Sequence, residues 1–446
     1  MGKKASAGRR ACAALLALLL AGCAAAATSA AAEPAAAGRP QQKNGALRIV
    51  ALGDSISAGY EPGVRSAADV YGYVDRLYEQ ALLRGRAELA NYAVVGLTSE
   101  GLRRLLQSVA AGETTTAAQL QDFSKYNDPR VLAQAEAVAA QTAGMRKSLA
   151  DADIVVITIG GNDFTDYIRN LSGMSADEAI RHLNEDFDPL VNNYADQVGQ
   201  ALTALHAAAP NARVYLANQY SPIAKGVGQK LYDALNAAVD KVGAKLEETV
   251  QALSGGESYI RIVPLADLFK GREAMYTHFS LLGDEKDFHP NQYGYEAIAK
   301  AFSEAIWSSY RPLAAQAKSG EGGAPQPPAI YVRGERLNSP NRPALRGGAT
   351  FLALTDVAAA VSAELSWEGR TKTAAFRYGG REVAIAIGSR EIRVDGQVRP
   401  LGTVPPAYLQ KVGQSDKTYV PLAAIAEGLG FDVVYRPRLH TAFINP

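Results

Sequence analysis

Cysteine is almost absent. The chain of 446 residues holds two, Cys12 and Cys23, both close to its start. Beyond that point it can build neither a disulfide framework nor a thiolate metal centre. Long apolar runs are missing as well, since the run at residues 11–20 is about ten residues long and too short to span a bilayer as a helix. Nor is there an excess of either charge: 46 Lys and Arg face 45 Asp and Glu. Past the first ten residues no dense basic run occurs, which argues against nucleic acid as a partner.

What is present at the start is a pattern. Lys3, Lys4, Arg9 and Arg10 precede the short apolar run, the layout of an export signal, expected over residues 1–22. Leu20-Ala21-Gly22-Cys23 resembles a bacterial lipobox, in which the cysteine becomes the lipid-modified first residue of the mature protein. The expectation is an extracytoplasmic protein, lipid-anchored at Cys23 to the outer face of the cell membrane, with secretion as the fallback. Without the four basic residues of the signal, 42 Lys and Arg face 45 Asp and Glu, a net of −3. Residues 23–45 are small and polar with no buriable face and read as a tether, and a second such stretch at 313–329 reads as a linker. Two domains are therefore expected, a large one at 46–312 and a small one at 330–446.

In the large domain, "LRIVAL" (47–52), "IVVITIG" (154–160), "RVYLANQ" (213–219) and "IRIVPL" (260–265) are short, β-branched and near-continuously apolar, as strands covered on both faces are. Helix-like segments at 71–85, 128–150, 188–210 and 228–253 alternate with them. The alternation predicts α/β architecture: a three-layer α/β/α sandwich on a parallel sheet with right-handed crossovers. Ligands of such sheets sit beyond the carboxyl ends of the strands.

Four blocks follow apolar elements and can converge on that rim: "GDSI" at 53–56, Gly96 in "NYAVVGLTSEGL", "GGND" at 160–163, and "DFHPNQYGYEAIA" from Asp287. Singly each is turn or cap chemistry. In order and content together they resemble the GDSL, or SGNH, family of serine hydrolases across the whole large domain, with Ile56 standing where the family name has Leu. The resemblance implies a flavodoxin-like fold and a serine esterase or lipase working through an acyl-enzyme, with no cofactor. It implies Ser55 as nucleophile, His289 as base and Asp287 as acid, with the Ser55 and Gly96 N–H groups and the Asn162 side chain as oxyanion donors. Where many family members place the acid three residues before the histidine this chain has Lys286, and Asp287, two residues before, is the candidate.

Each role fits the chemistry. A serine hydroxyl needs a base to take its proton, imidazole titrates near neutrality, and a carboxylate holds the ring in one tautomer. Gly96 lets a substrate carbonyl approach closely. Asp54 and Asp163 read as hydrogen-bonding turn residues. His278, Asp284, Asp287 and His289 lie close enough in sequence to consider a zinc site, but there is no H-E-x-x-H pattern and the serine blocks account for two of the four, so no metal is expected. Within the family the blocks look most like the lipase and lysophospholipase branch, so acyl lipids or lysophospholipids are the expected ester substrates. A cell-wall carbohydrate O-acetylesterase, or a non-catalytic wall-binding protein on a hydrolase scaffold, are the alternatives.

The small domain repeats itself. Phe351, Leu354, Val357, Val361 and Trp367 recur as Tyr419, Leu422, Ile425, Leu429 and Tyr435 at a constant offset. Each copy predicts a strand, an amphipathic helix and a hairpin, in an α+β accessory domain. "TYVPLAAIAEGLGFDVVY" and "IRVDGQVRPL" resemble the copper amine oxidase N-terminal-like domain, common on exported proteins of spore-forming Gram-positive bacteria. His440 is its sole histidine, so the usual copper ligands are lacking. The resemblance implies an adhesion or spacer role, with the cell wall as a possible partner.

Overall fold

A computed structural model describes residues 45–446 except 127, 254, 281–286, 320–322, 324 and the side chain of Ala67. The expected signal, Cys23 and nearly all of the tether lie outside the described residues, as do Asp284 and Lys286. The large domain is built on five parallel strands: β1 (Ala46–Gly53), β2 (Arg86–Asn91), β3 (Ile154–Thr158), β4 (Arg213–Ala217) and β5 (Ile260–Val263). Their order in the sheet is β2-β1-β3-β4-β5. Strand β3 is buried throughout, which is why its sequence is Ile and Val up to the closing Thr158.

Alternate residues of β1 feed two cores. Val50 and Leu52 pack with Leu102, Leu105, Leu202 and Leu246 on one face, Ile49 and Ala51 with Val74, Leu77, Ile298 and Phe302 on the other. The first face is covered by α3 (Ser99–Ala111) and the helices Asp188–Ala208 and Gln229–Ala252, the second by α2 (Tyr73–Leu82) and the helix Gln292–Trp307. This is the three-layer sandwich expected from the strand–helix alternation. Two local differences stand out. Strand β2 was not legible, because as an edge strand it is half exposed and carries Glu88 and Asn91 in place of an apolar run. The segment at 128–150 is two helices, Pro129–Ala139 and Thr142–Ala150, broken at Ala140 and Gln141.

The accessory domain shows the repeat in three dimensions. Strand Ala349–Ala353, helix Leu354–Val361 and strand Glu364–Glu368 correspond to strand Ser415–Pro421, helix Leu422–Gly428 and strand Asp432–Arg436. The two first strands pair antiparallel, and the matched residues Leu352 and Val420 face each other in the register, which places a local two-fold between the copies. This domain is docked on the large one. Leu439 and Phe443 join the core beneath α2, Asn445 Nδ2 donates to the carbonyls of Leu82 and Gly85, and Arg436 pairs with Asp75 and Glu79 of α2. Gln316 of the stretch between the domains donates its N–H to the Leu439 carbonyl, so this residue runs along the accessory domain.

Parallel pairing of β1 with β3 brings Gly53 opposite Thr158. Gly53 has φ +113°, and a Cβ there would stand 1.9 Å from the Thr158 carbonyl oxygen. Backbone, unlike a side-chain tip, cannot swing away. Gly53→Ala is expected to destabilise the fold by about 3 kcal/mol, from steric overlap and an unfavourable φ together. Urea denaturation measures it, and a loss below about 1 kcal/mol would contradict the crowding.

Candidate active site

All the blocks reach the same rim because each follows the carboxyl end of a strand. Ser55 comes two residues after β1, Gly96 lies in the loop beyond β2, Asn162 follows β3, and Asp287 and His289 lie beyond β5. The sheet reverses direction of growth between β1 and β3, the crevice where such folds place their ligands.

Ser55 opens a one-turn helix, α1 (Ser55–Ala58), capped by Asp54, whose Oδ1 accepts from Ile56 N–H at 3.0 Å and from the Thr158 hydroxyl at 2.9 Å. The Asp54 N–H donates to the Thr158 carbonyl. Ser55 is thus held against β3 and is only 5% exposed. Its Oγ lies 2.7 Å from His289 Nε2, and His289 Nδ1 lies 2.8 Å from Asp287 Oδ1. The same carboxylate oxygen accepts the His289 backbone N–H at 2.9 Å. An ionised carboxylate can only accept, so Nδ1 carries the proton and Nε2 faces the serine with its lone pair. The Tyr60 ring packs on the His289 ring with centroids 4.5 Å apart.

The Gly96 loop is fixed through its carbonyl, which accepts from Gln121 Nε2 at 2.9 Å and from the Tyr126 hydroxyl at 2.8 Å. Gly96 has φ +82°, and a Cβ there would lie 2.5 Å from the Tyr126 ring. The immediate need for glycine is therefore this packing and the left-handed backbone, a reason different from the substrate approach expected from the sequence. Asn162 Nδ2 donates to the Leu97 carbonyl at 2.9 Å, and its Oδ1 lies 3.3 Å from the Tyr126 hydroxyl. An amide NH₂ has two hydrogens, and the bond to Leu97 uses one of them. Asp163 accepts from Ser99 N–H and, in a very short bond, from the Ser99 hydroxyl, tying the Asn162 turn to the start of α3. Gln121 and Tyr126 had no signal in the sequence, since they reach Gly96 from outside every block, while Thr158 and Tyr60 lie beside blocks without a residue type that marks a role.

Ser55, Gly96, Asn162, Asp287 and His289 line one cavity of about 520 Å³. Part of its wall is apolar, with Phe164, Phe187, Ile223, Leu235, Val239 and Val242, and Lys125, Asp128, Asp166 and Arg169 line it as well. The zinc cluster weighed from the sequence does not converge among the described residues: His289 spends both ring nitrogens on Ser55 and Asp287, and His278 Nε2 faces Glu61 at 3.0 Å.

Burial dominates the site's electrostatics. It raises Asp54, 2% exposed, to about 6, against the opposing hydrogen bonds from Thr158 and Ile56. It raises Asp163 to about 6 in the same way, against Ser99. For Asp287 burial also pushes upward, but the hydrogen bonds from the His289 ring and backbone and the charges of His289 and His278 outweigh it, and the group is held below its ordinary value. The raised Asp54 binds its proton more tightly when folded, so its contribution is full below its ordinary value of 3.8 and is lost as pH rises through about 6. The loss amounts to about 2–3 kcal/mol. Asp287 acts in the opposite sense at lower pH, being lost as pH falls through its depressed value. Asp54→Asn is expected to flatten the fall in unfolding free energy between pH 4 and about 7, read by denaturant titration across that range. An unchanged slope would contradict it.

Residues 49–302 match the GDSL-like lipase/acylhydrolase family and residues 331–444 match the copper amine oxidase N-terminal domain. In this second domain His440 Nδ1 is engaged by the Tyr435 hydroxyl and Nε2 by the Gln326 carbonyl. The uncharacterized protein YpmR of Bacillus subtilis (strain 168) is 23% identical over 261 residues, 58% of this chain and 80% of that protein. Lipase 2 of Streptomyces coelicolor is 30% identical over 185 residues, 39% of this chain and 53% of its own length. A lipase from a goat rumen metagenome superposes with TM-score 0.37 at 19% identity, covering 58% of this chain and 97% of that one. Since the first family match takes in more than half of the chain and carries Ser55, Gly96, Asn162, Asp287 and His289, the chain belongs to the GDSL-like lipase/acylhydrolase family and is a carboxylic ester hydrolase.

Proposed function

We propose that the ester is that of a lipid, with an acyl chain housed along the apolar part of the cavity wall, and that Ser55 attacks its carbonyl. The observation that carries this reading is the Ser55–His289–Asp287 relay opening onto an apolar wall of Phe164, Phe187, Leu235 and Val242. As Ser55 Oγ bonds to the carbonyl carbon, its proton passes to His289 Nε2. Asp287 holds Nδ1–H and stabilises the imidazolium. Negative charge gathers on the former carbonyl oxygen, where the Ser55 and Gly96 N–H groups and the second Asn162 amide hydrogen are the donors. Collapse expels the alcohol, which takes its proton from His289 and leaves an acyl-serine. Water, deprotonated by His289, then attacks the acyl carbon and releases the acid and Ser55. An acetyl group would leave the apolar side chains of a 520 Å³ cavity, Phe164, Phe187, Leu235 and Val242 among them, without a partner, which favours acyl lipids or lysophospholipids over acetylated wall glycan.

Location is the second part of the reading. The basic start, the short apolar run and Leu20-Ala21-Gly22-Cys23 support export and lipidation at Cys23. A diacylglyceryl group supplies two chains, enough for stable anchoring without a second signal.

Ser55→Ala is expected to lower turnover at least about 10⁴-fold and to abolish fluorophosphonate labelling with the fold intact. Across p-nitrophenyl esters, kcat/KM should rise from acetate to medium chains. Undiminished turnover in Ser55→Ala would remove the nucleophile assignment, while a preference for acetate together with release of acetate from wall glycan would favour the O-acetylesterase. Wild-type protein should fractionate with membranes and Cys23→Ser should not. Unacylated mature protein in the medium of wild-type cells would defeat the anchor.

A further inference from the structure

The segment that carries the base has little sheet to rest on. It is tied down by the bridge between Thr277 and Pro290 and by the His278 N–H donating to the His289 carbonyl at 3.0 Å. The His278 ring in turn faces Glu61 Oε1 at 3.0 Å, with both side chains largely buried. The other Glu61 oxygen accepts from Gln292 Nε2 at 2.6 Å. The same Gln292 amide donates to the Tyr71 carbonyl, which also takes a hydrogen bond from Arg76. The Tyr71 hydroxyl donates to Glu79 Oε2 at 2.7 Å, and Glu79 Oε1 accepts from Arg436 Nε of the accessory domain at 3.0 Å.

Every link in this run is a direct contact, and its far end is a charge that needs its partner. Glu79 is 1% exposed. A carboxylate so buried is tolerated only when paired and hydrogen-bonded, and taking away one partner leaves the other uncompensated. Arg436, which also bonds Asp75 at 2.9 Å, supplies the countercharge from outside the large domain. Without it Glu79 must take up a proton or turn toward water, and either change moves the Tyr71 segment on which Gln292 and Glu61 depend.

We propose that the accessory domain serves as a brace for the catalytic segment: Arg436, acting through Glu79, Tyr71, Gln292 and Glu61, fixes His278 and with it the backbone of His289. Arg436, Glu61 and His278 are positioning residues and touch no substrate. This gives the domain a role in turnover beyond adhesion or spacing. A double-mutant cycle measures the coupling along this run.

The cycle uses the full chain and hydrolysis of p-nitrophenyl butyrate. Arg436→Met and Glu61→Gln are each expected to lower kcat about three- to tenfold with KM nearly unchanged, and the double variant to be no worse than the poorer single. Arg436→Lys keeps the charge and should retain at least about half of kcat. Asn445→Ala removes interdomain hydrogen bonds to Leu82 and Gly85 away from this run, and should lower Tm while leaving kcat as it was. Unchanged kcat in both single variants, fully multiplicative losses in the double, or an equal loss in Asn445→Ala would each overturn the brace. Should Arg436→Met fail to fold, Arg436→Gln decides by the same rule: about a three- to tenfold loss alone and none on top of Glu61→Gln. The proposal rests on the Ser55–His289–Asp287 reading, whose own failure shows separately as activity surviving Ser55→Ala.

Discussion

Thr158 holds the Ser55 half of the site. Its carbonyl accepts the Asp54 N–H, its hydroxyl donates to the Asp54 carboxylate, and its N–H donates to the Ser57 hydroxyl. These bonds join the end of β3 to the turn after β1. They fix Ser55 relative to Asn162, which starts from the same strand end four residues later. The cost is a buried carboxylate and a glycine with no room for a methyl group, and both follow from drawing two parallel strand ends together over a reactive serine. A turn so tightly constrained has few alternative conformations, so the hydroxyl is presented without further ordering when substrate arrives.

The fold was largely legible because a parallel sheet covered on both faces writes itself as apolar runs between helical segments. Four of the five strands announced themselves in that way, and β2, with Glu88 and Asn91 open to solvent at the sheet edge, did not. In the site, Ser55, Asn162, Asp287 and His289 stood in blocks because local chain geometry must deliver them. Gln121 and Tyr126 also shape the Gly96 loop, yet they reach Gly96 from 25 and 30 residues away. Contacts of that kind impose no spacing that a reader could search for. In the accessory domain, the repeat was legible in the sequence for the opposite reason. Two copies that pair with each other at Leu352 and Val420 must keep the same apolar positions. Its docking through Arg436 was not legible, since an arginine in a hairpin is ordinarily a surface residue.

The two halves of the site therefore differ in what supports them. Ser55 and Asn162 hang from the ends of β1 and β3, which are buried nearly throughout, and Gly96 follows the edge strand β2. Asp287 and His289 come from a segment beyond β5, at the sheet's far edge, and the distance from Oγ to Nε2 depends on how that segment is held. Proton transfer is sensitive to this distance, and displacement by about 1 Å costs on the order of 10²-fold in rate. A hydrolase of this form thus needs extra support on its histidine side. Here one polar run passes from His278 by way of Glu61, Gln292 and Tyr71 to the buried Glu79, where the compensating charge belongs to another domain. Placing that charge on Arg436 makes the order of the catalytic segment depend on whether the accessory domain is seated, which ties two separately recognisable sequence units into a single working enzyme.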